Sequence, residues 1–99
     1  MVFLAEKKIG SMNGSEKKVY VTYMVRCRDN SLYTGFTVGD VNRRVAVHNE
    51  GRGAKYTRSR LPVTLVWYHE WDNEHDARSM EVKIKRKTKA EKEVLVKGE

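Results

Sequence analysis

Cysteine is almost missing from this 99-residue chain, where Cys27 stands alone. An internal disulfide is therefore excluded, and a single thiol fits a reducing compartment. Cys27 cannot build a zinc site by itself, and His48, His69 and His75 show no ligand spacing with it. Proline is as scarce, with Pro62 its single example, and neither a repeat nor a low-complexity tract is visible. Long apolar runs are absent too. No stretch approaches the roughly 18 residues that a membrane span needs. The opening Met1-Val2-Phe3-Leu4-Ala5 is too short for the core of a signal peptide, and Glu6 follows at once. A cytoplasmic location is the expectation.

What is present suits one small domain. The hydrophobic set makes up 39% of the residues, enough for one modest core, and charged residues make up 33%, high but still globular. Acid is in short supply where base is not. The formal net charge is +7, and from Gly51 to His69 there is no acidic residue, while Arg52, Lys55, Arg58 and Arg60 all lie there. A second cluster runs through Lys83, Lys85, Arg86, Lys87, Lys89 and Lys92. Patches of this kind bind phosphates by releasing counterions, so the balance points to a polyanionic partner. A merely solvated face is the plain alternative.

Residues 1–17 contain the linker-like Gly10-Ser11-Met12-Asn13-Gly14-Ser15 and are expected to form a flexible tail, with one domain over 18–97. Val19 to Cys27 is rich in β-branched and aromatic residues and predicts a strand. Arg28-Asp29-Asn30-Ser31 is a turn by composition, and Leu32 to Thr37 a second strand, making a hairpin. Gly35 inside it suggests a bulge or a close approach by something else. For Tyr23 and Tyr33 to share a face, Tyr33 must pair with Cys27 or Val25 and not with Arg26, which takes an odd number of loop residues. Asp40 is a good N-cap for a helix over Val41 to Asn49, with Val41, Val45 and His48 on one face and Arg44 flanking it. Pro62 opens a strand over Val63 to Trp71, the strongest strand signal in the chain. A helix follows from about Glu74, capped by Asp72 or Asn73, with Ala77, Met80 and Ile84 buried. Thr88-Lys89-Ala90-Glu91 is a capping box, opening a last helix that turns Ala90, Val94 and Leu95 inward. The fold class is α+β: a small three-stranded antiparallel sheet with flanking helices, in the order β-β-α-β-α-α.

Three features stand out. Glu81 interrupts the apolar stripe of its helix, where a carboxylate is costly unless paired or bound to a cation. A salt bridge to a neighbouring Arg or Lys is the simple reading. Arg44 and His48 share a helix face, and Tyr23 and Tyr33 sit in strands, where a tyrosine is commonly a core or rim residue.

In this order, Thr22-Tyr23, Tyr33-Thr34-Gly35, Arg44-x-x-x-His48-Asn49, Gly53-Ala54-Lys55-Tyr56-Thr57-Arg58 and Ala77-x-x-x-Glu81-x-Lys83-x-Lys85 resemble the GIY-YIG endonuclease superfamily. The likeness is to its small single-domain bacterial branch, which is similar to the catalytic domain of structure-specific endonucleases. The first triplet reads Val21-Thr22-Tyr23, without the family's glycine and isoleucine, and the second has Thr34 in place of isoleucine. The resemblance implies a nuclease acting on nucleic acid, DNA foremost, with one Mg²⁺ or Mn²⁺ on Glu81. It implies that Tyr23 positions or deprotonates the attacking water, with Tyr33 beside it. Arg44 would bind the phosphate, and His48 would orient or shuttle a proton. Arg52, Lys55, Tyr56, Arg58, Arg60, Lys83 and Lys85 would grip the nucleic acid, with Tyr56 available to stack on a splayed base. No DNA-targeting segment is evident, so specificity is weak or supplied by a protein partner. Two other readings stay open: a nucleic-acid-binding module of the same fold with little turnover, and an interaction protein whose basic faces meet an acidic partner.

Overall fold

The computed structural model describes residues 18–98. The expected tail over residues 1–17 therefore lies outside the described residues. Strand β1 (Tyr20–Arg26) lies at the centre of a three-stranded sheet, between β2 (Leu32–Val38) and β3 (Thr64–Trp71), both antiparallel to it. Its five inner residues, Val21 to Val25, are all buried. A strand flanked on both edges and covered on both faces can be apolar throughout, and only here does the sheet allow it.

The hairpin register is continuous, pairing Val25 with Tyr33 and Arg26 with Leu32. Five residues, Cys27 to Ser31, close it, the odd number that the shared face of the tyrosines requires. Asn30 takes the left-handed backbone at φ 73°, and Asp29 accepts hydrogen bonds from the Ser31 amide at 3.1 Å and hydroxyl at 2.6 Å. Gly35 makes no bulge, since it pairs directly with Tyr23. The one irregularity is between β1 and β3, where Val66 is an extra residue between the pairs Met24–Trp67 and Val25–Leu65.

Helix α1 (Val41–Asn49) starts where the Asp40 carboxylate accepts the Asn42 amide at 2.9 Å. A single turn, α2 (Lys55–Arg58), was not foreseen and sits in the basic loop. Asn49 ties that loop down by exchanging two hydrogen bonds with the Val63 backbone, at 2.7 and 2.9 Å. Helix α3 (Glu74–Lys85) is capped by Asn73, and α4 (Lys89–Lys97) by the foreseen capping box of Thr88 and Glu91.

The helices form two layers. Helix α1 packs on the face carrying Val21, Tyr23 and Val25, with Val41 and Val63 in the same cluster. Helices α3 and α4 cover the opposite face around Met24, Leu32 and Ile84. One expectation needs correction. Helix α4 turns Leu95 and Val96 inward, while Ala90 and Val94 are exposed. The cause is the docking of Glu93, whose carboxylate takes both guanidinium nitrogens of Arg26 at 2.7 and 2.8 Å and so sets the rotation of the helix. Strand β3, the strongest strand by composition, has no buried residue. Branched and aromatic residues fit any pleated surface, and this one is an edge.

Candidate active site

Tyr23 stands in the middle of β1 with none of its surface exposed, on the α1 face of the sheet. Its ring crosses Gly35 toward the β2 edge. A Cβ at Gly35 would collide with the Tyr23 hydroxyl. The close approach that the glycine signalled is thus made by the protein's own phenol.

The hydroxyl lies 2.8 Å from Nε2 of His48, which is also wholly buried. On the other side of the ring, Nδ1 lies 2.9 Å from the Thr57 hydroxyl, and Thr57 donates to the Ala54 carbonyl at 3.0 Å. These contacts fix the tautomer. Thr57 has one proton and gives it to Ala54, so it accepts from Nδ1–H, and Nε2 is left to accept from Tyr23. The opposite tautomer would leave the buried Tyr23 proton without an acceptor. The Ala54 amide approaches Nδ1 at 3.4 Å, the longer claim on that nitrogen. Gly53 is needed for the same reason as Gly35, because a Cβ there would meet the His48 ring.

Arg44 donates Nε–H toward the Tyr23 oxygen at 3.4 Å, a long contact. Burial raises the Tyr23 phenol above its ordinary value, and the hydrogen bond and charge of Arg44 pull against it. Burial lowers His48, and the Arg44 charge adds to that. The imidazole is therefore neutral at pH 7, and its Nε2 can accept the hydrogen bond of the phenol. Tyr33 meets His48 edge-on with ring centroids 5.5 Å apart and stacks on Tyr56 at 5.9 Å.

Glu81 comes from the other layer. Its side chain is 16% exposed, and its carboxylate bridges Lys85 at 3.0 Å, one turn on. Its charge reaches the Tyr23 phenol and acts to raise it. Four of the five foreseen side chains (Tyr23, Tyr33, Arg44 and His48) are thus linked by contacts through Tyr23 and His48, and the Glu81 charge acts on the Tyr23 hydroxyl.

Residues 19–94 match the family described as the GIY-YIG catalytic domain. The chain belongs to the GIY-YIG family. Among its relatives is a UPF0213 protein of Pediococcus pentosaceus, 49% identical over 70 residues that make up 71% of this chain and 73% of that one. A UPF0213 protein of Streptococcus pneumoniae serotype 4 is 46% identical over 78 residues, 79% of this chain and 77% of that one. The solution structure of a UPF0213 protein from Bacillus halodurans aligns with a TM-score of 0.52 at 39% identity, over 80% of this chain and 83% of that one.

The departure from the GIY-YIG pattern at Thr22 has a structural use. The Thr22 hydroxyl donates to the Ala77 carbonyl at 2.7 Å and accepts from the Trp71 indole at 3.1 Å. It therefore pins α3 to β1 one turn before Glu81. Among the described residues no group of three or more His, Cys, Asp or Glu side chains gathers, so a donor set at Glu81 holds at most two such side chains. That set fits Mg²⁺ or Mn²⁺, hard ions that bind through one or two carboxylates and keep several waters.

Of the foreseen nucleic-acid contacts, Lys55 and Arg58 are exposed on α2, and Lys83 is exposed on α3. Arg52 is paired with Glu50. Arg60 is engaged, with its guanidinium on Asp29 at 3.1 Å and 3.8 Å over the Tyr56 ring. Tyr56, between Tyr33 and Arg60, is thus already occupied as a stacking partner. Thr57 and Gly53 were quoted in the motif without a role. Their signal was the i+9 and i+5 spacing from His48 across a glycine-bounded loop, which only the folded loop converts into contact.

Proposed function

We propose that the chain is a metal-dependent nuclease, hydrolysing nucleic-acid phosphodiester bonds in the cytoplasm, in DNA repair or processing. The observation that supports it is the Tyr23 hydroxyl, placed 2.8 Å from His48 Nε2 and 3.4 Å from Arg44 Nε, with the Glu81 charge acting on it. Tyr23 receives the proton of the attacking water as it passes its own to Nε2. The Thr57–Ala54 chain holds the imidazole in the tautomer that accepts it. The water oxygen bonds to phosphorus, the bond to the leaving sugar oxygen breaks, and that oxygen takes up a proton. Arg44 faces the charge that develops on the phosphate. Glu81 would hold a divalent ion, whose chemistry there is to stabilise phosphate and leaving-oxygen charge. Lys55, Arg58 and Lys83 would grip the backbone, and a protein partner would add specificity.

A second reading, a binding module of the same fold with little turnover, is favoured by one contact. Lys85 already neutralises Glu81 at 3.0 Å. The two readings separate in one assay. Nicked, flapped, branched and single-stranded DNA are incubated with Mg²⁺ or Mn²⁺, using the unaltered protein and Glu81→Gln. Cleavage by the first and none by the second supports the nuclease. Binding without metal-dependent cleavage in either supports the module.

A further inference from the structure

A cavity of about 310 Å³ opens beside the Tyr23 centre, at the β2 edge where the two layers meet. One layer contributes Tyr33 and Tyr56, the other Lys85 and Lys92, and Leu32 and Thr34 of β2 form the floor. Its lining holds two cations and no carboxylate. Lys85 is half-exposed, and Lys92 is partly buried on α4. Lysines do not gather in a partly buried place without a cost. Burial and the charge of Lys85 both lower Lys92.

Two further observations point to an anion. Thr34 is 2% exposed and lines the cavity, and its hydroxyl oxygen is the single buried side-chain nitrogen or oxygen without a hydrogen-bond partner among the described residues. A threonine hydroxyl left unmatched in a buried place lacks a partner that a ligand oxygen could supply. Lys92 also stands next to Glu93, whose fork with Arg26 docks α4 against β1.

We propose that this cavity binds a phosphate group of the nucleic acid, next to the one attacked, through Lys85, Lys92 and the Thr34 hydroxyl. The proposal deepens the nuclease reading and rests on it for the identity of the ligand. Tyr33 is the shared wall, since it lines the cavity and touches His48. A phosphate seated there draws Lys85 away from Glu81, which it bridges in the free protein. Glu81 is then released for a cation only when nucleic acid is in place. The occupied and free forms would thus differ in one ion pair.

The test is an NMR titration of the full chain with inorganic phosphate, without metal, following the side-chain resonances of Lys85, Lys92 and Thr34. Saturable shifts in all three are expected. Lys92→Met and Thr34→Val should weaken phosphate at least tenfold and about threefold, with the rest of the spectrum unchanged to report an intact fold. Shifts confined to Lys55 and Arg58, or unchanged affinity in Lys92→Met, would overturn the site. Two oligonucleotides separate the sources of phosphate. A backbone phosphate gives the same shifts with and without a 5′-phosphate, and a terminal one gives them only with it. In a second titration, Mn²⁺ should bind Glu81 several-fold more tightly in Lys85→Met, read by paramagnetic broadening. Unchanged Mn²⁺ affinity would overturn the release of Glu81. If the unaltered protein binds phosphate here but cuts nothing, the nuclease reading fails and the site stands. If it cuts DNA yet Lys92→Met binds phosphate normally, the reverse holds.

Discussion

The two sides of the Tyr23 hydroxyl are built differently. On the α1 side every proton has an address: Tyr23, His48, Thr57 and Ala54 form one buried chain, with Gly35 and Gly53 leaving no room for a larger residue. On the α3 side, Glu81 is held by one lysine a turn away, itself half-exposed. The first side is fixed before any ligand arrives, which suits groups that must transfer a proton at short range. The second can rearrange at small cost, which suits groups that must exchange one ionic partner for another. Rigidity and adjustability are divided between the two faces of one sheet.

The sharpest way to break this division is Tyr23→Phe. It removes the proton-transferring atom and keeps the ring, so cleavage should fall by roughly 10²–10⁴-fold. Stability should fall by about 1–3 kcal/mol, since the buried Nε2 of His48 is left without its donor. Retained cleavage would remove Tyr23 from the chemistry.

Next in size is Gly35→Ala. Its methyl would occupy the space of the Tyr23 hydroxyl. Because the α1 side cannot yield, the protein should lose about 1–3 kcal/mol of stability, read from denaturant midpoints. A neutral outcome would show that side to be softer than its hydrogen bonds suggest.

The pH dependence tests the same side. Burial lowers His48 below its ordinary value, so between that lower value and about 6.5 the unfolded chain binds a proton that the folded one does not. Stability contributed by neutral His48 is present above about pH 6.5 and lost as pH falls through the folded value. The loss should disappear in His48→Gln if that variant folds. Cleavage should fall over the same acid range, and burial of the Tyr23 phenol should delay any alkaline decline. A rate maximum near pH 5 would contradict the proton path.

The smallest effect is expected on the adjustable side. Lys85→Met removes an ion pair whose lysine is half-exposed, so melting should move by no more than about 1 kcal/mol. A large loss would make Glu81–Lys85 a structural bridge and favour the binding-module reading.

Much of this was legible in the sequence because it is local. Asp40, Asn73 and the Thr88–Glu91 box mark helix starts through contacts within a few residues, and all are in place. The tyrosine register followed from strand alternation, and Val25 does pair with Tyr33. What could not be read depends on distant partners. The rotation of α4 is set by Arg26, 67 residues from Glu93. The burial of β1 over β3 is set by sheet order, to which composition is blind. Lys85 as the partner of Glu81 was legible in kind, as a neighbouring base at helical spacing, while the cavity it shares with Lys92 needed α3 and α4 to be side by side.

The extra residue Val66 in β3 has a consequence for how copies of this protein treat one another. Among the described residues, strand β3 ends the sheet and offers an open row of amides and carbonyls, with Leu65, Val66 and Trp67 only half-covered beside it. A flat edge of that composition would template pairing with a second chain and seed aggregation. The bulge at Val66 breaks the regular spacing of that row and increases its twist, so that an incoming strand finds two residues where its ladder needs one. Deleting Val66 would restore an even edge and, with it, a tendency toward insoluble assembly.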